Sequence, residues 1–203
     1  MIFGVLVSGS GTNLKAILDA RDERIEVGVV VSNVATAKAL DRARSAGVPA
    51  VVVDHKAFAG REAFDAAVVE VLRAHRVSCV VLAGFMRLVT PVLLSAFPDR
   101  VVNIHPALLP AFPGVHAQRQ ALAYGVKVTG CTVHLVDAGM DTGPILAQET
   151  VPVLDGDDEA ALTARLLEKE HAVLPRVLRA IAGGGLTVTR AADPGARPRV
   201  GLR

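Results

Sequence analysis

Two periods of apolar residues alternate along the first half of the chain. "IFGVLV" (Ile2–Val7) is a β-branched run that breaks at Ser-Gly-Ser-Gly, and residues 13–20 then place Leu14, Ile17 and Leu18 at helical spacing. The same alternation predicts strands at 27–31, 50–53 and 79–82, with helices over 35–46 and 61–75. A short helix after Pro91 leads into a strand at 101–104. Strand–helix alternation with right-handed crossovers predicts a parallel sheet flanked by helices. Beyond Gly114 the pattern changes. "AQRQALAY" reads as a helix, and "VKVTGCTVHLV" and "GPILAQETVPV" read as two strands, antiparallel across the loop at 137–142. A long helix follows, with Asp157 or Asp158 as its N-cap, a kink expected at Pro175, and an end at Gly183-Gly184-Gly185. A last strand is expected at 186–189, before the tail "RAADPGARPRVGLR". With no internal repeat or linker, the reading is one domain over 1–189 and a disordered tail over 190–203.

Composition sharpens this picture. The 203 residues are 51% hydrophobic but only 3% aromatic, so Val, Leu and Ala must build the core, as suits strands buried on both faces. A formal charge of +2, much of it in the arginine-rich tail, argues against nucleic acid as a partner. The N-terminal apolar run lacks a basic flank and a cleavage site, and there is no uninterrupted apolar stretch long enough to span a membrane. Cys79 and Cys131 sit apart in apolar runs, outside any metal or disulfide spacing. Together these point to the cytoplasm.

Four stretches carry candidate chemistry. "SGSGTNL" (8–14) is a glycine-rich turn between a strand and a helix, where backbone N–H groups and the helix N-terminus form an anion site. Leu14 replaces the third glycine of a dinucleotide fingerprint, no acid follows the second strand, and no Walker lysine is present. A phosphate monoester therefore suits it better than NAD or ATP; the alternative is a tight turn that binds nothing. In "NIHPALLPAFPG" (103–114), strand alternation puts Asn103 and His105 on one face at a carboxyl end, where open parallel sheets bind ligands. Pro106, Pro110 and Pro113 stiffen the chain after them. A hydrogen-bonded core histidine is the competing reading. In "HLVDAGMDTGP" (134–144), Asp137 and Asp141 bracket a turn. If Asp141 reached His105 it would raise the imidazole pKa toward general acid–base work. Finally, Glu170 lies on the apolar face of the long helix, where it needs either an ion-pair partner or the cationic group of a ligand.

These residues, with "REAFD", "LAGFMRLV", "GCTVHLVDAGMDTGPILAQ" and "LEKEHAVLP", resemble the formyltransferase family that uses 10-formyltetrahydrofolate, from residue 1 to about residue 189. The resemblance implies an α/β fold: a Rossmann-like, mostly parallel twisted sheet with helices on both faces, extended by C-terminal antiparallel strands and a long helix. It implies formyl transfer from 10-formyltetrahydrofolate, as co-substrate, to the amine of 5-phosphoribosylglycinamide, in purine biosynthesis. It implies a catalytic trio of Asn103, His105 and Asp141. The phosphorylated amine would meet Gly11, Thr12, Asn13, Gly84, Pro106 and Glu170. The folate would meet Arg61, Met86, Arg87, Leu88, Val89 and Asn103, together with the loop Asp137, Ala138, Gly139, Met140 and Asp141.

Asn103 and a protonated His105 would then donate to the oxyanion of a tetrahedral intermediate, with no metal and no tightly bound cofactor. Partners would be small molecules, and the chain a monomer or homodimer. One departure is Ala107, where relatives often carry Ser before Leu-Leu-Pro. Relatives with the same trio hydrolyse 10-formyltetrahydrofolate or formylate methionyl-tRNA. The extra N-terminal and C-terminal domains of those enzymes are not expected here. A non-catalytic phosphate or nucleotide binder is a further alternative.

Overall fold

The structure is a computed structural model that describes residues 1–190, 193 and 197–203. The chain divides into two compact units, Met1–Asn103 and Ile104–Arg203.

The first unit follows the predicted alternation: β1 (Ile2–Val7), α1 (Thr12–Asp19), β2 (Glu26–Ser32), α2 (Lys38–Ser45), β3 (Ala50–Val52), α3 (Arg61–Ala74), β4 (Cys79–Leu82) and α4 (Pro91–Ala96). The strand β5 (Val101–His105) begins in this unit, and its last two residues belong to the second. All its pairings are parallel, in the order β3-β2-β1-β4-β5. The chain therefore steps outward from β1 to β3, then jumps back to place β4 on the other side of β1. Right-handed crossovers put α1 and α2 on one face and α3 and α4 on the other, with a switch point between β1 and β4. The pairs α1–α2 and α3–α4 do pack together. Phe3, Leu6, Leu14, Leu40, Phe64 and Leu72 fill this unit's core.

The second unit holds α5 (Ala117–Tyr124), β6 (Val128–Leu135), β7 (Ile145–Pro152), α6 (Glu159–Ala182), β8 (Leu186–Thr189) and β9 (Arg199–Leu202). As expected, β6 and β7 are antiparallel, but their register shifts between Val133 and His134. Of the two candidate caps of α6, Asp158 is the one used: its carboxylate accepts the Ala161 N–H at 2.7 Å. Asp157 instead pairs with Arg165, whose Nη2 lies 2.6 Å from both carboxylate oxygens. The helix runs unbroken through Pro175. An interior proline costs about 3 kcal/mol, whereas each buried leucine or isoleucine stabilises by about 1.5–3 kcal/mol. Leu162, Leu166, Leu174, Leu178 and Ile181 are all fully buried on this face, so packing wins.

The tail departs from expectation. Arg199–Leu202 is not disordered but pairs antiparallel with Leu186–Thr189. Two apolar residues, Val200 and Leu202, were too weak a periodic signal; ladder hydrogen bonds to β8 supply what burial does not. Residues 191, 192 and 194–196 of the expected disordered segment lie outside the described residues.

Candidate active site

The glycine-rich turn leaves β1 at the switch point and enters α1 through Gly11, which has a φ of 71°. A Cβ there would sit 2.6 Å from the Ala39 Cβ, so the close approach of α2 already demands glycine. The Gly9 carbonyl accepts the Ala39 N–H at 3.1 Å, and the Ser10 carbonyl accepts Arg42 Nε–H at 2.8 Å. Because a trans peptide points its N–H opposite its carbonyl, the Ser10 and Gly11 amides face away from α2. That is the orientation an anion needs.

Across the switch point the loop from Gly84 to Thr90 follows β4. Its apolar residues Met86 and Leu88 are 70% and 47% exposed, while Arg87 lies over the Phe64 ring, 5.0 Å from its centroid. Arg61 is the first residue of α3 and is exposed. The loop is held at both ends. Buried Asp65 of α3 accepts the Thr90 N–H at 2.5 Å. Burial raises the Asp65 carboxyl pKa, against the pull of Thr90, Arg87 and Arg61. At the other end Ser8 accepts the Met86 N–H on its hydroxyl at 2.9 Å.

In the second unit His105 and Asp141 do meet. His105 Nδ1 lies 3.4 Å from Asp141 Oδ2, with side chains only 5% and 13% exposed. His105 Nε2 lies 2.8 Å from the Phe112 carbonyl, which can only accept, so Nε2 carries the proton. Asp141 also accepts the Gly114 N–H at 2.8 Å. The segment after β5 thus wraps the pair, and it does so through left-handed backbone at Phe112, Gly114 and His116. Such a conformation is costly for a bulky residue like Phe112 and is found where the surroundings impose it.

Asp141 does raise the His105 pKa, as expected, but the net shift is downward. Burial drives the His105 pKa below its ordinary value, and Asp141 and the Phe112 carbonyl only partly offset it; nearby His134 adds to the fall. At rest His105 is neutral, and its one N–H is spent on Phe112. For Asp141, burial pushes the pKa up, but the His134 hydrogen bond, the Gly114 N–H and His105 together pull it below the ordinary carboxylate value.

Sequence reasoning missed three side chains here. His134 is fully buried, with Nε2 3.6 Å from Asp141 Oδ1 and Nδ1 2.8 Å from the Leu135 carbonyl. It sits at the register shift of β6, where a bulge re-aims the side chain. Thr132 and Gln148 hold the start of the wrapping segment. Thr132 donates to the Ala107 carbonyl at 2.7 Å and accepts from Leu109 N–H and Gln148 Nε2, each at 3.0 Å. The prolines are therefore not alone in fixing this segment. Thr132→Val, which keeps shape but leaves these buried groups unpaired, is expected to cost about 2–3 kcal/mol of unfolding free energy, read from urea melts.

The remaining candidates fall in several settings. Asp137 accepts from Gly139 N–H and Thr142 Oγ1, at 3.1 and 2.6 Å, as turn chemistry predicts. Met140 is half exposed beside it. Glu170 is buried on α6, and its charge adds to the burial that pushes the Cys131 thiol up to about 12. Cys79 is likewise pushed up to about 12 by burial, so neither thiol is reactive. Among the described residues no cluster of three His, Cys, Asp or Glu side chains is placed to hold a metal ion, and no helix is long and apolar enough to cross a membrane.

Comparison with known proteins places this geometry in context. The family model described as formyl transferase matches residues 1–178. The phosphoribosylglycinamide formyltransferase of Mycobacterium tuberculosis is 48% identical over 199 residues, covering 97% of this chain and 93% of that protein. The trifunctional purine biosynthetic protein adenosine-3 of Drosophila melanogaster is 47% identical over 185 residues, covering 89% of this chain; the match spans only 14% of that longer protein. The crystal structure of glycinamide ribonucleotide transformylase 1 from Symbiobacterium toebii superimposes with a TM-score of 0.92 at 53% identity, covering 100% of this chain and 93% of that one.

Proposed function

The chain belongs to the formyl transferase family, and from that premise we propose that it transfers the formyl group of 10-formyltetrahydrofolate to the amine of 5-phosphoribosylglycinamide, a step of purine biosynthesis. The observation that carries this reading is the buried His105–Asp141 contact, wrapped by the Phe112–Gly114 segment. Such a pair has no packing purpose that two apolar side chains would not serve better.

The glycinamide nitrogen attacks the formyl carbon, and the carbonyl oxygen gains negative charge as the tetrahedral intermediate forms. Asn103 and His105 stand two apart on β5, so strand alternation sends both side chains from one face. The Asn103 amide donates to the oxyanion. His105 Nε2–H joins it by exchanging the Phe112 carbonyl for the oxyanion. A proton must leave the attacking nitrogen and another must reach N10 of the folate. An ordered water carries the first to the His105–Asp141 pair, where the developing imidazolium finds a carboxylate 3.4 Å away. The pair then gives a proton back through that water to N10 as the oxyanion collapses and the formyl carbon–N10 bond breaks, so that tetrahydrofolate leaves with its N–H and the formyl group stays on the amine. Gly11, Thr12 and Asn13 are the proposed phosphate ligands and Glu170 the proposed partner of the glycinamide end. Arg61, Met86–Val89 and the Asp137–Asp141 loop are the proposed folate contacts, with Gly84 and Pro106 bordering the amine substrate. Two buried free thiols favour the cytoplasm as the setting. The oligomer is a monomer or homodimer, which sedimentation velocity distinguishes.

The test is turnover of 10-formyltetrahydrofolate with and without 5-phosphoribosylglycinamide. Amine-dependent loss of the formyl group supports the transferase. Amine-independent loss supports a hydrolase, and saturable binding without turnover a binding protein. A pH profile adds a second test. His105 must be neutral to take a proton, so the acid limb of kcat/KM is expected below 6.5, the ordinary imidazole value. Because Asp141 raises the His105 pKa, Asp141→Asn should move that limb further toward acid. Stability follows the same sign. The unfolded imidazole protonates at higher pH than the folded one, so stability falls as the pH drops below 6.5. A limb above 6.5 would contradict a desolvated His105.

A further inference from the structure

We propose that Ser8 is a positioning residue that couples the two ligand loops of the first unit, so that occupancy of the glycine-rich turn tightens binding at the Gly84–Val89 loop. This rests on the functional reading above and adds a regulatory link within it.

The switch point puts the residue after β1 between two neighbours, the loop after β4 and the end of β2. Ser8 bonds to both. Its N–H donates to the Gly84 carbonyl at 3.1 Å. Its hydroxyl accepts the Met86 N–H at 2.9 Å, and because an N–H can only donate, the hydroxyl proton goes elsewhere. It goes to Asn33 Oδ1, at 2.6 Å. Asn33 is 6% exposed and is itself held from the far side, with Nδ2 3.3 Å from His55 Nδ1. The chain Met86–Ser8–Asn33 thus has a set direction and a buried anchor.

The Gly84–Val89 loop needs such an anchor. It has no regular structure, and although Phe85 stacks on the Phe64 ring and Arg87 lies over it, Met86 and Leu88 between and beyond them are 70% and 47% exposed and are not fixed by packing. The Asp65 hydrogen bond ties the Thr90 end to α3, as the Phe64 ring does for Phe85 and Arg87. Ser8 belongs to the glycine-rich turn as well. A phosphate that orders residues 8–13 therefore holds the Ser8 hydroxyl where Met86 requires it, and the loop loses less freedom when the second ligand binds. By linkage the effect is reciprocal.

The experiment is titration calorimetry of tetrahydrofolate, the non-reacting product, into the full chain with and without saturating 5-phosphoribosylglycinamide. The wild type should bind tetrahydrofolate about fivefold or more tightly when the amine substrate is present, the low end of ordinary coupling. In Ser8→Ala that ratio should fall to about one, while Ser8→Thr, which keeps the hydroxyl, should retain most of it. Asp65→Ala is the control for a merely structural role: it should weaken tetrahydrofolate binding with and without the amine substrate and leave the ratio unchanged. If Ser8→Ala fails to fold, Asn33→Ala reports the same link and should also reduce the ratio. A ratio near one in the wild type, or a ratio untouched by Ser8→Ala or by Asn33→Ala, overturns the coupling while leaving the transferase intact. A wild type that binds neither ligand overturns the functional reading and the coupling with it.

Discussion

Replacing Asp141 by asparagine is expected to lower kcat about 100-fold or more while the protein remains folded. The side chains are nearly identical in shape, so packing around residue 141 survives. What changes is the charge and the number of acceptor oxygens. The carboxylate uses Oδ2 for Gly114 N–H, at 2.8 Å, and faces His105 Nδ1 with the same atom, at 3.4 Å; Oδ1 faces His134 Nε2 at 3.6 Å. An amide can keep the oxygen for Gly114 and His105 but must then turn its NH2 toward His134. More important, burial already holds the His105 pKa down, and Asp141 is the largest influence opposing it. Without that charge the imidazolium formed during proton transfer loses the carboxylate that faces its Nδ1. The cost falls on the transition state, so KM should change far less than kcat. Steady-state kinetics beside a thermal melt decide the matter. A normal rate in a folded Asp141→Asn protein would remove the carboxylate from the mechanism.

Asn103→Ala should also reduce kcat, by about 100-fold, but with a different signature. The amide is neutral and donates regardless of pH, whereas His105 carries the pH dependence. The loss should therefore be uniform across the pH profile, with the acid limb unmoved. The aspartate variant, by contrast, shifts that limb. Asn103→Asp should be at least as damaging, because it sets a negative charge against a developing oxyanion. Equal rates for Asn103→Ala and wild type would leave the oxyanion without the donor proposed for it.

Most of the secondary structure was legible because its signals are local. The alternation from Ile2 to Leu82 could be read because parallel strands run apolar while the helices between them are amphipathic. The helix at Ala117–Tyr124 and the strand at Leu186–Thr189 stand as predicted. The glycine-rich turn was legible as a turn, but its glycine owes as much to Ala39 as to any ligand. His134 was not legible. Every residue of β6 from Thr129 onward is buried, so alternation cannot say which face a side chain takes, and the shift at Val133 breaks the alternation there anyway. Thr132 looked like one β-branched residue among several; its three partners come from a segment and a strand far away in the chain. The Ser8 network escaped for the same reason, since Asn33 and Met86 each follow a different strand.

The chain's own order of residues determined the elements, the parallel character of the first half and the choice of candidate side chains, because periodicity and residue chemistry act over a few neighbours. The tertiary structure decided that His105 and Asp141 touch, that His134 stands behind them, and that the imidazole rests neutral. Those outcomes depend on distance and on exclusion from water, which act through space between residues the chain keeps apart.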